Sequence, residues 1–181
     1  MNKSVAKQYK TGIYIGKFFP LHLGHISTIN MINSVCEKVY VIFYNDKNAE
    51  IKLIRQAGYS YDINLRINDA KRIFETNDDI IVTKLDIPAD ITFPDNYEDI
   101  KALVHALVAD KIDIQIFGCD EKEIYAPYVY ADEFMLGGIY AIEDKDAMIK
   151  PLHATLIRTD YDYYKKYLPS IVEQTITKLK I

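Results

Sequence analysis

At 181 residues, about half apolar (49%) and about a quarter charged (27%), the chain has the size and make-up of one globular domain with a full core. A formal net charge of -4 excludes the global basic field of a nucleic-acid binder, but not a small anionic ligand held by local cations and backbone N–H groups. Cys36 and Cys119 form no CxxC pair, no apolar run approaches a membrane span, and the polar start lacks the apolar core of a signal peptide; a cytoplasmic protein without membrane contact is expected.

Residues 12–16 (GIYIG) predict a first strand that ends in glycine. A Pro/His/Gly turn follows, and Ile26, Ile29, Ile32 and Val35 or Cys36 then recur at helix spacing. Residues 38–44 (KVYVIFY) are β-branched and aromatic and predict the second strand. Residues 45–60 read as a polar loop. Residues 61–76 predict an amphipathic helix with Ile63, Ile67, Ala70 and Phe74 on one stripe. A third strand (79–85), a loop broken by Pro88 and Pro94, a helix (97–109) and a fourth strand (113–117, closed by Gly118) come next. A short helical stretch is expected at 121–130 and a fifth strand near 138–142. Two helices, 155–167 and 169–180, finish the chain. Strands alternating with helices predict an α/β fold: a Rossmann-like parallel sheet of about five strands with helices on both faces, in a single domain spanning 1–181. In such sheets ligands bind beyond the carboxyl ends of the strands, which directs attention to the loops after Ile15, Tyr44, Leu85 and Phe117.

The first of these loops runs Gly16-Lys17-Phe18-Phe19-Pro20-Leu21-His22-Leu23-Gly24-His25 and leads into the first helix. A helix N-terminus offers unpaired N–H groups, and Gly24 leaves room for a phosphate at the backbone. His22 and His25, three apart, can face one ligand as N–H donors or as imidazolium ions. Lys17 adds positive charge. A histidine at a helix start ordinarily caps the helix or stays solvated. Zinc is not expected, because no third His or Cys lies close by, and no residue is assigned as a metal ligand. A second segment, Leu152-His153-Ala154-Thr155-Leu156-Ile157-Arg158, offers a hydroxyl to cap a helix and a guanidinium one turn further on. The ordinary role for Arg158 is an ion pair with Asp160 or Asp162.

The first segment matches every fixed position of G-x-F-x-P-x-H-x-G-H and so resembles the signature of the HxGH nucleotidylyltransferase superfamily. Thr155, Ile157 and Arg158 match the second signature of that superfamily, I-S-x-T-x-I-R, with His153 standing where the family usually has Ser. The wider pattern is most similar to the nicotinamide-mononucleotide adenylyltransferase domain of bacterial NAD-salvage proteins. Arg66 matches an arginine in the helix before the third strand, residues 93–97 (FPDNY) stand at a Pro-x-x-Trp segment, and residues 158–169 resemble the tail of that domain. The family commonly sets Trp against the nicotinamide ring. Here Trp is absent and Tyr numbers 15, so Tyr97 or Phe93 would provide that face. In that family a ribosylnicotinamide kinase domain often follows and a DNA-binding domain sometimes precedes, so a stand-alone or excised version is expected.

The resemblance implies transfer of AMP from ATP to nicotinamide mononucleotide, with Mg²⁺ carried by the triphosphate. His22, His25, Lys17 and Arg158 would be catalytic. Gly16, Phe18, Gly24, Phe93, Tyr97, Gly118, Cys119 and Thr155 would bind substrate. Another phosphorylated acceptor, the use of CTP, or a nucleotide-sensing module without turnover are the alternatives. Homo-oligomerisation is left open.

Overall fold

The computed structural model of the protein describes residues 7–88, 97–108, 114–118, 133–136 and 140–180. Strands β1 (Tyr9–Gly16), β2 (Cys36–Asn45) and β3 (Ile80–Asp86) lie parallel, with Gly16 opposite Phe43 and Asn45 opposite Asp86. Between them run α1 (Leu23–Val35), α2 (Lys47–Ala57) and α3 (Ile63–Ile73). On the other edge of β1 the order continues, after α4 (Tyr97–Leu107), through β4 (Ile114–Gly118) to β5 (Glu133–Leu136), giving β3-β2-β1-β4-β5. The direction of winding therefore reverses between β1 and β4. Open α/β sheets bind ligands at that reversal, outside the carboxyl ends of the strands.

The strands obey a period of two. Tyr14, Val39, Val41 and Phe43 face a core that includes Ile29 and Ile32 of α1 and the Ile63, Ile67, Ala70 stripe of α3, with Phe74 just beyond it. Ile13, Tyr40 and Ile42 face the opposite way, onto Val104 and Val108 at α4. Apolar residues on both faces make the sheet a buried layer between helices, as a parallel sheet requires.

Two expectations need correction. Residues 45–60 are not a loop throughout, for they contain α2. Its ends are well specified: the Asp46 carboxylate accepts the backbone N–H groups of Asn48 (3.0 Å) and Ala49 (3.1 Å), and Gly58 closes the helix at φ 75°. No residue of α2 is fully buried, so its apolar stripe is thin and reads as loop. The strand expected near 138–142 is not a member of the parallel sheet. There, β6 (Ala141–Glu143) folds back antiparallel onto β7 (Ile149–Pro151). The turn between them is closed by Asp144 N–H donating to Met148 O (2.9 Å), with Ala147 at φ 58°. Asp144 accepts from Lys150 and from the Tyr164 hydroxyl, which pins the hairpin to the C-terminal helices.

The first helix expected there, 155–167, is divided into α5 (Ala154–Thr159), α6 (Tyr161–Tyr164) and a 3₁₀ turn (Lys165–Tyr167), while the second is found as α7 (Ser170–Leu179). Asp160 breaks α5 from α6 at φ -143°, and its carboxylate accepts from Tyr163 N–H. A third core joins Phe19, Tyr59, Tyr61, Ile157, Tyr161 and Val172, so α5 and α7 pack against the loops that follow β1 and α2. Buried Asp69 strengthens this junction by accepting from Tyr61 (2.7 Å) and Thr175 (3.0 Å). The helical stretch expected at 121–130 lies outside the described residues. No described helix is long and apolar enough to cross a membrane.

Candidate active site

The segment after β1 turns sharply. Phe18 has φ 46° and folds its ring back over Gly16, where a Cβ would stand 2.9 Å from the ring. That ring is only 4% exposed and packs on Tyr14, Phe43 and, edge-on at 5.0 Å, His25. Phe18 thus sits in the core beneath a histidine. The Phe19–Pro20 peptide is cis, and α1 begins three residues later.

His22 is the N-cap of α1 and His25 its third residue. The two form a reciprocal capping box. His22 N–H donates to His25 Nδ1 (3.2 Å), and His25 N–H donates to His22 Nδ1 (3.4 Å). The rings stack at 3.6 Å between centroids. A nitrogen that accepts a hydrogen bond carries no proton, so in each neutral ring the proton is on Nε2. The cap therefore fixes both tautomers and leaves two Nε2–H groups as donors. Burial, then the neighbouring charges of His25, His153 and Arg158, holds the His22 pKa well below the usual range. Burial, then His153, brings His25 down to about 3. Of the two forms expected from sequence, neutral donor or imidazolium, the neutral donor applies. Gly24 makes the arrangement possible: a Cβ there would lie 3.0 Å from the His22 ring and 3.2 Å from Tyr140 Cβ.

Arg158, on α5, reaches the same turn. Its guanidinium donates to the Phe19 carbonyl, to Gln56 Oε1 (2.9 Å) and to Thr155 Oγ1 (2.9 Å). The ordinary ion pairs with Asp160 and Asp162 are not made; those carboxylates pair with Lys145 and Lys165. Burial lowers the Arg158 pKa, with Tyr59 acting in the opposite direction. Thr155 does not cap the helix as its sequence position suggests. His153 holds the N-cap place, and Thr155 stands inside α5 as an acceptor for Arg158. Lys17 places its ammonium 5.3 Å from the centre of the Tyr44 ring. Burial lowers its pKa, Asp46 and Glu50 offset this in part, and Arg158 adds to it.

Lys17, His22, Gly24, His25, Thr155 and Arg158 are therefore brought together at the carboxyl end of β1. Gly118 ends β4, the neighbour of β1, at the same edge of the sheet. Tyr97 begins α4. Phe93 and Cys119 lie outside the described residues. Among the described residues no group of three or more His, Cys, Asp or Glu gathers to hold a metal ion.

Three supporting residues were not assigned to the site from sequence. Arg66 is fully buried beneath the turn, donating to the Lys17 carbonyl and, at 2.5 Å, to both Glu50 oxygens. Its guanidinium also lies 4.8 Å from the centre of the Phe19 ring. Gln56 and Glu50 are on α2, the helix that reads as loop. The available signal was its pair of ends, Asp46 and Gly58.

No protein-family model matches the chain. Solved structures do. A NadR protein in complex with NAD and AMP-PNP aligns over 90% of this chain and 45% of its own, at 17% identity and TM-score 0.61. A bifunctional NMN adenylyltransferase/ADP ribose pyrophosphatase from Francisella tularensis aligns over 94% and 49%, at 17% identity and TM-score 0.63. It has also been solved with AMP and a manganese ion. A Plasmodium falciparum nicotinic acid mononucleotide adenylyltransferase aligns over 94% and 95%, at 13% identity and TM-score 0.51. The chain spans about half the length of the first two. The chain shares the fold of these adenylyltransferase structures.

Proposed function

We propose that the protein transfers AMP from ATP to nicotinamide mononucleotide, giving NAD and pyrophosphate. The observation that carries this reading is the double-histidine cap. With Nδ1 of each ring engaged in the cap, the two Nε2–H groups are the remaining donors, and the pair is grouped with Lys17 and Arg158 at the carboxyl end of β1. Neutral N–H donors fixed before the substrate arrives need no reorganisation when charge develops on a phosphoryl group. The fold shared with the NMN adenylyltransferases supports the choice of acceptor.

The acceptor phosphate oxygen attacks the α-phosphorus of ATP in line. The new O–Pα bond forms as the bond from Pα to the β-phosphate oxygen breaks, and pyrophosphate leaves with that electron pair. No protein nucleophile is required, so catalysis is positioning plus charge stabilisation. His22 and His25 donate to the α-phosphoryl oxygens. Lys17 and Arg158 hold the β and γ oxygens, and the Thr155 hydroxyl orients Arg158. Mg²⁺ arrives with the triphosphate as part of the substrate, held by phosphate oxygens and water. Gly118, Phe93, Tyr97 and Cys119 are assigned to the nucleoside and acceptor side.

The test is to mix the protein with Mg-ATP and nicotinamide mononucleotide and measure NAD and pyrophosphate together. Equal amounts of both, falling about a hundredfold or more in rate for His25→Ala, are expected. Full turnover by His25→Ala would overturn the mechanism. No NAD from protein that binds ATP would overturn the acceptor assignment.

A further inference from the structure

We propose that Tyr44 is the positioning residue for Lys17: its ring holds the ammonium at the carboxyl end of β1 without neutralising it, so that the charge is in place for a triphosphate. This rests on the nucleotide-binding reading above.

The register of the sheet brings the two residues together. Gly16, the last residue of β1, stands opposite Phe43, so Lys17 and Tyr44 come next on the two neighbouring segments. By alternation Tyr44 shares the face of Tyr40 and Ile42, and its ring packs against the cluster on the α4 side that includes Ile42 and Leu85. Core contacts therefore anchor the ring. Lys17 Nζ lies 5.3 Å from its centre, inside the distance of about 6 Å over which a ring face attracts a cation. Burial, then Asp46, pushes the Tyr44 hydroxyl up to about 12, so the ring stays a neutral phenol at neutral pH.

The nearby carboxylates are engaged elsewhere. Asp46 and Glu50 both favour the charge on Lys17, while Arg158 works against it. Yet Asp46 accepts the N–H groups of Asn48 and Ala49 at the start of α2, and both Glu50 oxygens accept from Arg66. Among the described residues no carboxylate forms a salt bridge with Lys17. The difference is chemical. A paired carboxylate would cancel the charge of the ammonium and compete with phosphate for its N–H donors. A ring face attracts the cation through its quadrupole and carries no net charge, so the full positive charge stays available. The ring also restricts a flexible four-carbon stem that a phosphate would otherwise have to immobilise on binding.

The experiment is calorimetric binding of Mg-ATP, without acceptor, to four proteins: the parent, Tyr44→Leu, Lys17→Met and the double variant. Tyr44→Leu should weaken binding about five- to tenfold in the parent background, and less than about twofold in the Lys17→Met background. A second series keeps the shape of the ring. Phenylalanine with increasing numbers of ring fluorines is placed at position 44, which drains charge from the ring face. Tyr44→Phe without fluorine should recover most of the affinity lost in Tyr44→Leu. Affinity should then fall stepwise with fluorination, while the melting temperature without nucleotide stays constant. Equal weakening by Tyr44→Leu in both backgrounds, or affinity independent of fluorination, would overturn this proposal and leave the proposed function standing. Failure of the parent to bind Mg-ATP would overturn both.

Discussion

Replacing His25 by Gln separates the proton chemistry of the cap from its hydrogen bonding. Gln is a natural third-position partner in a capping box, and it does not titrate. In the folded protein His25 is held down to about 3. An unfolded histidine titrates at about 6.5. Below that value the unfolded chain takes up a proton that the folded chain refuses. Stability is therefore highest above about pH 6.5 and falls as pH drops toward the folded value. Each pH unit well inside that window corresponds to about 1.4 kcal/mol, and with the unfolded histidine half protonated at pH 6.5 the loss from pH 6.5 to 4.5 is about 2.3 kcal/mol from this one group. Urea denaturation of parent and His25→Gln at pH 7.5, 6.5, 5.5 and 4.5 reads the difference. The two should lie within about 1 kcal/mol at pH 7.5, and the parent should lose the larger amount toward acid. Parallel curves would mean that His25 protonates in the ordinary range, and would refute the assignment of a neutral Nε2–H donor.

Gly24→Ala would bring a Cβ to 3.0 Å from the His22 ring; turnover should fall at least about tenfold through displacement of that ring, while circular dichroism stays close to parent. Arg158→Lys would give up the planar fork that spans Phe19, Gln56 and Thr155; steady-state kinetics should show the KM for ATP raised about tenfold or more. Glu50→Ala would leave the fully buried Arg66 without its carboxylate; denaturation should report a loss of about 3–5 kcal/mol.

Much of the fold was legible because its core elements follow simple periods. The stripe of Ile63, Ile67, Ala70 and Phe74 is buried as its spacing implies. So are the alternating residues of β1 and β2, from Ile13 and Tyr14 through Val39 to Phe43. Helix α2 was not legible as a helix, since no residue of it is fully buried and its identity rests on its two ends. The segment near 138–142 reads as a strand of the main sheet, but it holds β6 of a separate hairpin with β7. The hairpin's three-residue strands are too short for a period to show, and the antiparallel return depends on Asp144 meeting Lys150 and Tyr164. The histidine pair and Arg158 were visible as motif positions. Their supports were not, because Gln56 and Glu50 belong to the helix that was missed.

The capping box links folding to the proposed chemistry. In most helices a polar N-cap side chain satisfies a backbone donor that would otherwise be unpaired, at a value of about 1 kcal/mol. Here the residues that do so are both imidazoles, and each uses Nδ1. The bonds that start α1 therefore also decide which nitrogen of each ring bears the proton. Gly24 allows the ring of His22 to lie flat against the turn, and Phe18 packs beneath His25. Arg66 holds the turn from below through the Lys17 carbonyl, and Arg158 holds it from the side through the Phe19 carbonyl. A charged imidazolium would attract a triphosphate more strongly, but it would bind substrate and product phosphates alike. Such uniform attraction does not lower the barrier of the chemical step. Two neutral donors fixed by the backbone act chiefly where charge grows during transfer, and the buried, cation-rich setting keeps them neutral.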